Sequence, residues 1–116
     1  MTSPWMHSVV LATANTAYSL YELLAAFWGA GSPQPPKWQS INAQFCAIQV
    51  DPNSSGDDVQ VAVGNSDVAL NNCGVVLFPG QTFPIYSMES SLINFKDIWV
   101  MANANGIQLN ISFIQR

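Results

Sequence analysis

Between residues 59 and 114 no apolar stretch runs far before glycine, proline or a cluster of Asn, Asp and Ser cuts it short. The pieces left between these breaks, at 59–64, 74–80, 82–87 and 97–114, are rich in Val, Ile, Phe and Tyr. Pieces of that length and composition suit strands, and the residues between them suit tight turns. The last piece is the plainest. Ile107, Leu109, Ile111 and Phe113 fall on one face of a strand, and Gln108, Asn110 and Ser112 on the other. Val59, Val61 and Val63 alternate with Gln60 and Ala62, which predicts a half-buried strand. Pro79-Gly80 suits a tight turn, because proline presets one torsion and glycine accepts a positive one. Residues 103–106 end in Asn-Gly, a strong hairpin signal, so strands at 97–101 and 107–114 are expected to pair with each other.

The N-terminal half is less regular. Residues 2–13 contain Pro4, Trp5 and a β-branched stretch, and read as an extended arm or a first strand. Ser19 and Glu22 have the spacing of a capping box, and Leu20, Leu23, Leu24 and Phe27 recur on one helical face before Gly29. A short helix over 19–28 is expected, followed by a proline-rich connector at 29–38 that can continue neither helix nor central strand. Residues 44–50 alternate Cys46, Ile48 and Val50 with Phe45 and Ala47, apolar on both sides, and are expected to form a central strand. Residues 51–58 (DPNSSGDD), 64–67 (GNSD) and 71–74 (NNCG) are turns by composition. The expected fold is therefore mainly β, an antiparallel β-sandwich or jelly-roll-like barrel with one short N-terminal helix and an extended N-terminal arm. Residues 1–7 are assigned to the arm and 8–116 to one domain.

A chain of 116 residues can bury one modest core. Only 9% of its residues are charged, against roughly a quarter in soluble domains, so most of its surface is neutral. Seven acids oppose Lys37, Lys96 and Arg116, and no basic cluster exists to displace counterions from a nucleic acid. Direct nucleic-acid binding is not expected. The longest apolar run, 23–28, falls far short of the roughly 20 residues that cross a bilayer, and no Lys or Arg precedes Lys37. Neither a membrane anchor nor a signal peptide is expected.

Titratable chemistry is sparse. His7, the one histidine, has no cysteine or carboxylate near it in sequence, so it reads as a packed or surface residue, and no nucleophile elbow accompanies it. His7, Cys46 and Cys73 are too few for a structural zinc site, and the two cysteines are read as free buried thiols. Asp51, Asn53, Ser55 and Gly56 imitate the opening of a calcium loop, but Ala62 stands where its bidentate Glu belongs, so a polar turn is expected. No cofactor, metal or enzymatic activity is expected.

Trp99 lies in an apolar strand and reads as core. Trp5, Trp28 and Trp38 lie in the arm, at the helix end and after the prolines, where they have two uses: docking on a partner, or folding back as a satellite cluster. Taken together, the Leu-rich SLYELLAAF, the strand FCAIQVDP, VxVGNSDV, LFPGQTFPI and the final IWVMA and IQLNISFI segments resemble the small β-sandwich accessory virion proteins of tailed bacteriophages. The resemblance spans residues 8–114. It implies a capsid cement or decoration protein on the outer capsid surface, a homo-oligomer, most simply a trimer, that bridges major capsid subunits. Trp5, Met6, Trp28 and Trp38 are then the candidate interface residues. The same resemblance leaves a second implication, a tail, baseplate or fibre module that recognises a host-surface receptor.

Overall fold

The computed structural model describes residues 3–28, 42–54, 58–70, 74–86 and 93–115. The described chain opens with β1 (Ser3–Leu11), β2 (Tyr18–Ser19) and the helix α1 (Leu20–Trp28). Then come β3 (Asn42–Val50), β4 (Val61–Gly64), β5 (Val75–Leu77) and β6 (Thr82–Tyr86). A short β7 (Ile93–Asn94), a 3-10 turn (Phe95–Asp97), β8 (Trp99–Ala102) and β9 (Ile107–Gln115) complete it.

The strands form two antiparallel sheets, one ordered β1-β9-β3-β6 with β7 beside β3, the other β2-β8-β4-β5. With β7 set aside, the pairs nest: β1 with β9, β2 with β8, β3 with β6 and β4 with β5, divided between the two sheets. Nested pairs rolled in this way are the jelly-roll form of the sandwich. As expected, β3 is central, flanked by β9 and β6.

Asn-Gly does not make the expected hairpin. β8 belongs to the second sheet and β9 to the first, so residues 103–106 arch between sheets. A two-residue I′ hairpin needs positive φ at both central residues, and of this pair only Gly106 has it, at 70°. Contacts with the β1–β2 connection hold the arch: the Gly106 N–H donates to the Leu11 carbonyl (2.9 Å), and the Ala14 N–H to Asn105 Oδ1 (2.7 Å). Asn103 bridges to the approach of β4, its Nδ2 donating to the Asp58 carbonyl (2.6 Å) and its Oδ1 accepting from the Gln60 N–H (2.9 Å).

Pro79-Gly80 does turn the chain. Gly80 has φ 86°, and the Phe78 carbonyl accepts from the Gln81 N–H at 3.0 Å. This turn too joins different sheets, β5 to β6, and the Gly80 N–H fastens it to the Val50 carbonyl (2.8 Å).

The capping box closes reciprocally. The Ser19 N–H donates to Glu22 Oε1 (2.8 Å) and the Glu22 N–H to Ser19 Oγ (3.1 Å), which starts α1 one residue after the cap. Leu20, Leu23 and Leu24 are buried, and α1 lies against the 3-10 turn and β1.

Val9, Leu11, Ile48, Leu109, Ile111 and Phe113 of the first sheet share one core with Val61, Val63, Leu77, Val100 and Ala102 of the second. Phe95 meets Phe113 edge-on with centroids 5.0 Å apart, a favoured aromatic geometry. Two sequence expectations change here. Ala62 is fully buried, so β4 is covered on both faces rather than half-buried. Trp99 is half-buried on the outward side of β8, opposite Ser19 and Gly64, and is not core. Residues 2–13, read as an extended arm or a first strand, contain β1, which pairs with β9 in continuous register from Ser3–Gln115 to Leu11–Ile107.

Candidate functional site

The inward residues of the first sheet are spent on the core, which leaves its outer face for contact with anything else. Register places Ser8, Asn110, Gln49 and Thr82 in one outward row across β1, β9, β3 and β6. The neighbouring row is Met6, Ser112, Ala47 and Pro84, and beyond it stand Ile114, Phe45 and Tyr86.

The first row is a ladder of side-chain hydrogen bonds. The Ser8 hydroxyl donates to Asn110 Oδ1 (2.9 Å), which also accepts from Gln108 Nε2 (3.1 Å). Asn110 Nδ2 donates to Gln49 Oε1 (3.2 Å), and Gln49 Nε2 donates to the Gly80 carbonyl (3.4 Å). Ala47 and Ser112 beside this ladder are small, and the two rows without Pro84, together with His7 and Ile111, line a hollow of about 560 Å³. Met6, 80% exposed, stands at its β1 side, and Tyr86, 69% exposed, lies further along β6 with its ring tilted against Phe45 at 5.1 Å.

Neutrality is the second property of this surface. Among the described residues no strand of either sheet contains Asp, Glu, Lys or Arg; the acids and bases lie in α1, turns and connections. Desolvation holds the His7 imidazole below its ordinary pKa, so it is mostly uncharged at neutral pH. Burial pushes the Cys46 thiol up to about 12, which leaves it protonated and a poor nucleophile or metal ligand.

Three of the interface residues expected from sequence, Trp5, Met6 and Trp28, fall among the described residues. Met6 is on the outer face as described. Trp5 stands opposite Phe113 in the β1–β9 register, and Trp28 ends α1. Trp38 and Cys73 lie outside the described residues. Cys46 is buried and free. The Asp51 loop begins as an Asx turn, with the Asn53 N–H donating to Asp51 Oδ1 at 2.8 Å. The ladder itself was not legible beyond β9: alternation puts Asn110 outward, but its partners come from register with strands 61 and 102 residues away in sequence.

No protein-family model matches the chain, and no curated protein matches it. Among solved structures it is similar to a chain from the acidic stable capsid structure of Helicobacter pylori bacteriophage KHP30. That similarity has a TM-score of 0.48 and 13% identity, over 99% of this chain and 92% of that one. It is also similar to a chain from Bacillus endospore appendages, described as a novel family of disulfide-linked pili, with a TM-score of 0.42 and 11% identity over 99% and 86% of the two chains. Both similarities are remote.

Proposed function

We propose that this chain is a non-enzymatic structural virion protein, a capsid cement or decoration protein of a tailed phage that bridges and stabilises major capsid subunits. The observation that carries the reading is the absence of charged residues from every described strand, sheet edges included. Proteins that remain separate commonly guard their outer strands with lysine, other charges or short length. Here β1 is an edge strand of nine residues whose polar guards are limited to Ser3, His7, Ser8 and one proline, Pro4. Neutral faces and edges can be buried between subunits without stranding unpaired ions, which is the condition a particle component must meet many times over.

The jelly roll is compatible with this role but does not select it, since the same architecture serves capsids, lectins and enzymes. The particle assignment comes from the segment pattern over residues 8–114. On this reading the copies associate with one another, most simply as a trimer on the outer capsid surface, and Trp5, Met6, Trp28 and Trp38 contribute contacts. Modest affinities repeated around the shell then sum through multivalency.

Cryo-electron microscopy of purified particles tests the reading by copy number and position. Density repeated over the shell at threefold or quasi-threefold sites is the expected result. Density confined to the tail would transfer the protein to the second reading, a tail, baseplate or fibre module that recognises a host-surface receptor, which the polar hollow favours. Absence from particles would remove both.

A further inference from the structure

The geometry points to the hollow on the outer face of the first sheet as a binding site for a neutral oligosaccharide. This inference goes beyond the assembly role and does not require it.

The hollow's volume of about 560 Å³ falls within the roughly 300–1,000 Å³ of small-ligand sites. Its polar groups are also held in place. Asn110 Oδ1 has both lone pairs engaged, by Ser8 and Gln108, and its amide nitrogen has one hydrogen on Gln49. Gln49 is fixed in turn by Asn110 and the Gly80 carbonyl. By the donor and acceptor inventory of an amide, one N–H of Asn110, one N–H of Gln49 and one lone pair of Gln49 Oε1 remain for a ligand, with the Thr82 and Ser112 hydroxyls beside them. Neighbouring hydroxyls of a sugar ring each donate and accept, and an ordered array of amides and hydroxyls meets them without rearranging. Such preorganisation lowers the cost of binding.

Charge narrows the ligand class. Among the described residues no Asp, Glu, Lys or Arg lines the hollow, and desolvation holds its one titratable side chain, His7, below its ordinary pKa, so a phosphate, sulfate or carboxylate would be desolvated there without a counterion. The floor of Ala47 and Ser112 lacks the aromatic or arginine anchor on which a protein partner's binding energy would concentrate. An aromatic surface does lie further along the same face. Tyr86 follows Thr82 by four residues, about 13 Å at the rise of a strand, a span covered by two or three linked sugar rings. Its exposed ring is available to stack on the apolar face of a terminal sugar.

The test titrates isotope-labelled protein with maltotriose, cellotriose and chitotriose, follows the side-chain NH2 resonances of Gln49 and Asn110, and screens an array of neutral glycans in parallel. The expected result is saturable shifts of those resonances by at least one neutral glycan, unchanged between low and high salt. Gln49→Ala or Asn110→Ala weakens binding about tenfold, the scale of one or two lost hydrogen bonds. Ser112→Trp, which fills the hollow from an outward position, abolishes binding while its melting transition confirms that it folds. The inference is overturned if no neutral glycan binds, if binding survives Ser112→Trp in folded protein, or if only acidic glycans bind. It is equally overturned if Ser112→Trp instead changes the sedimentation coefficient, which would identify a second copy of the chain as the occupant.

Discussion

At the scale of single residues, positions that look alike in sequence do different physical work. Gly74 has φ 100°, and a Cβ there would collide with the Val63 carbonyl oxygen, so it permits β4 and β5 to approach; Gly106 also has positive φ but has open space around it. Gly74→Ala is expected to lose at least about 2 kcal/mol in urea unfolding, and Gly106→Ala less, because only the first combines strain with a backbone collision. Cys46 carries a linkage prediction. Its folded pKa of about 12 lies above the ordinary 9.0, so the folded state retains the thiol proton after the unfolded state has lost it. Its contribution is full below pH 9 and is lost as pH rises through the window up to about 12. Stability measured across that window is expected to fall less steeply in Cys46→Ala than in the parent, with Cys73 common to both. An equal slope would contradict the assignment.

At the scale of elements, local signals succeeded where a few neighbouring residues set the outcome. The capping box and the Leu20, Leu23 and Leu24 spacing place α1, because the cap's two hydrogen bonds close within one turn and the three leucines recur on one helical face. The final alternation places β9, all four of its expected inward residues being buried. Asn-Gly marked a real turn but not its partner strands, since the choice between hairpin and arch depends on which sheet each flank joins. Asn103 anchors that arch through two side-chain hydrogen bonds to backbone, so Asn103→Ala is expected to cost about 1–3 kcal/mol, read as a lower denaturation midpoint. Residues 3–7 provide another check. Because they pair with β9 instead of hanging free, deleting residues 1–7 is expected to lower the melting temperature as well as any particle affinity. An unchanged melting temperature would mean that this pairing adds nothing to stability.

At the scale of the whole molecule, uncharged strands and a long edge at β1 make association the property to test. Val10 is 48% exposed on the outward side of β1, and a lysine there would place a charge on that edge without entering the core. Val10→Lys is expected to leave the melting temperature nearly unchanged and to weaken concentration-dependent association in sedimentation experiments, the behaviour of an edge guard. The residue pattern alone determined the mainly β class, the helix and its start, the central place of β3 and the inward face of β9. Those features follow from side-chain periodicity and from bonds made within a few residues. Only the tertiary structure decided that the β8–β9 turn crosses between sheets, that Trp99 faces outward, and that Ser8, Asn110 and Gln49 form one ladder. Each of these depends on strand register and sheet assignment. Both are set by burying two apolar faces against each other across the whole chain, and no local stretch of sequence contains that information.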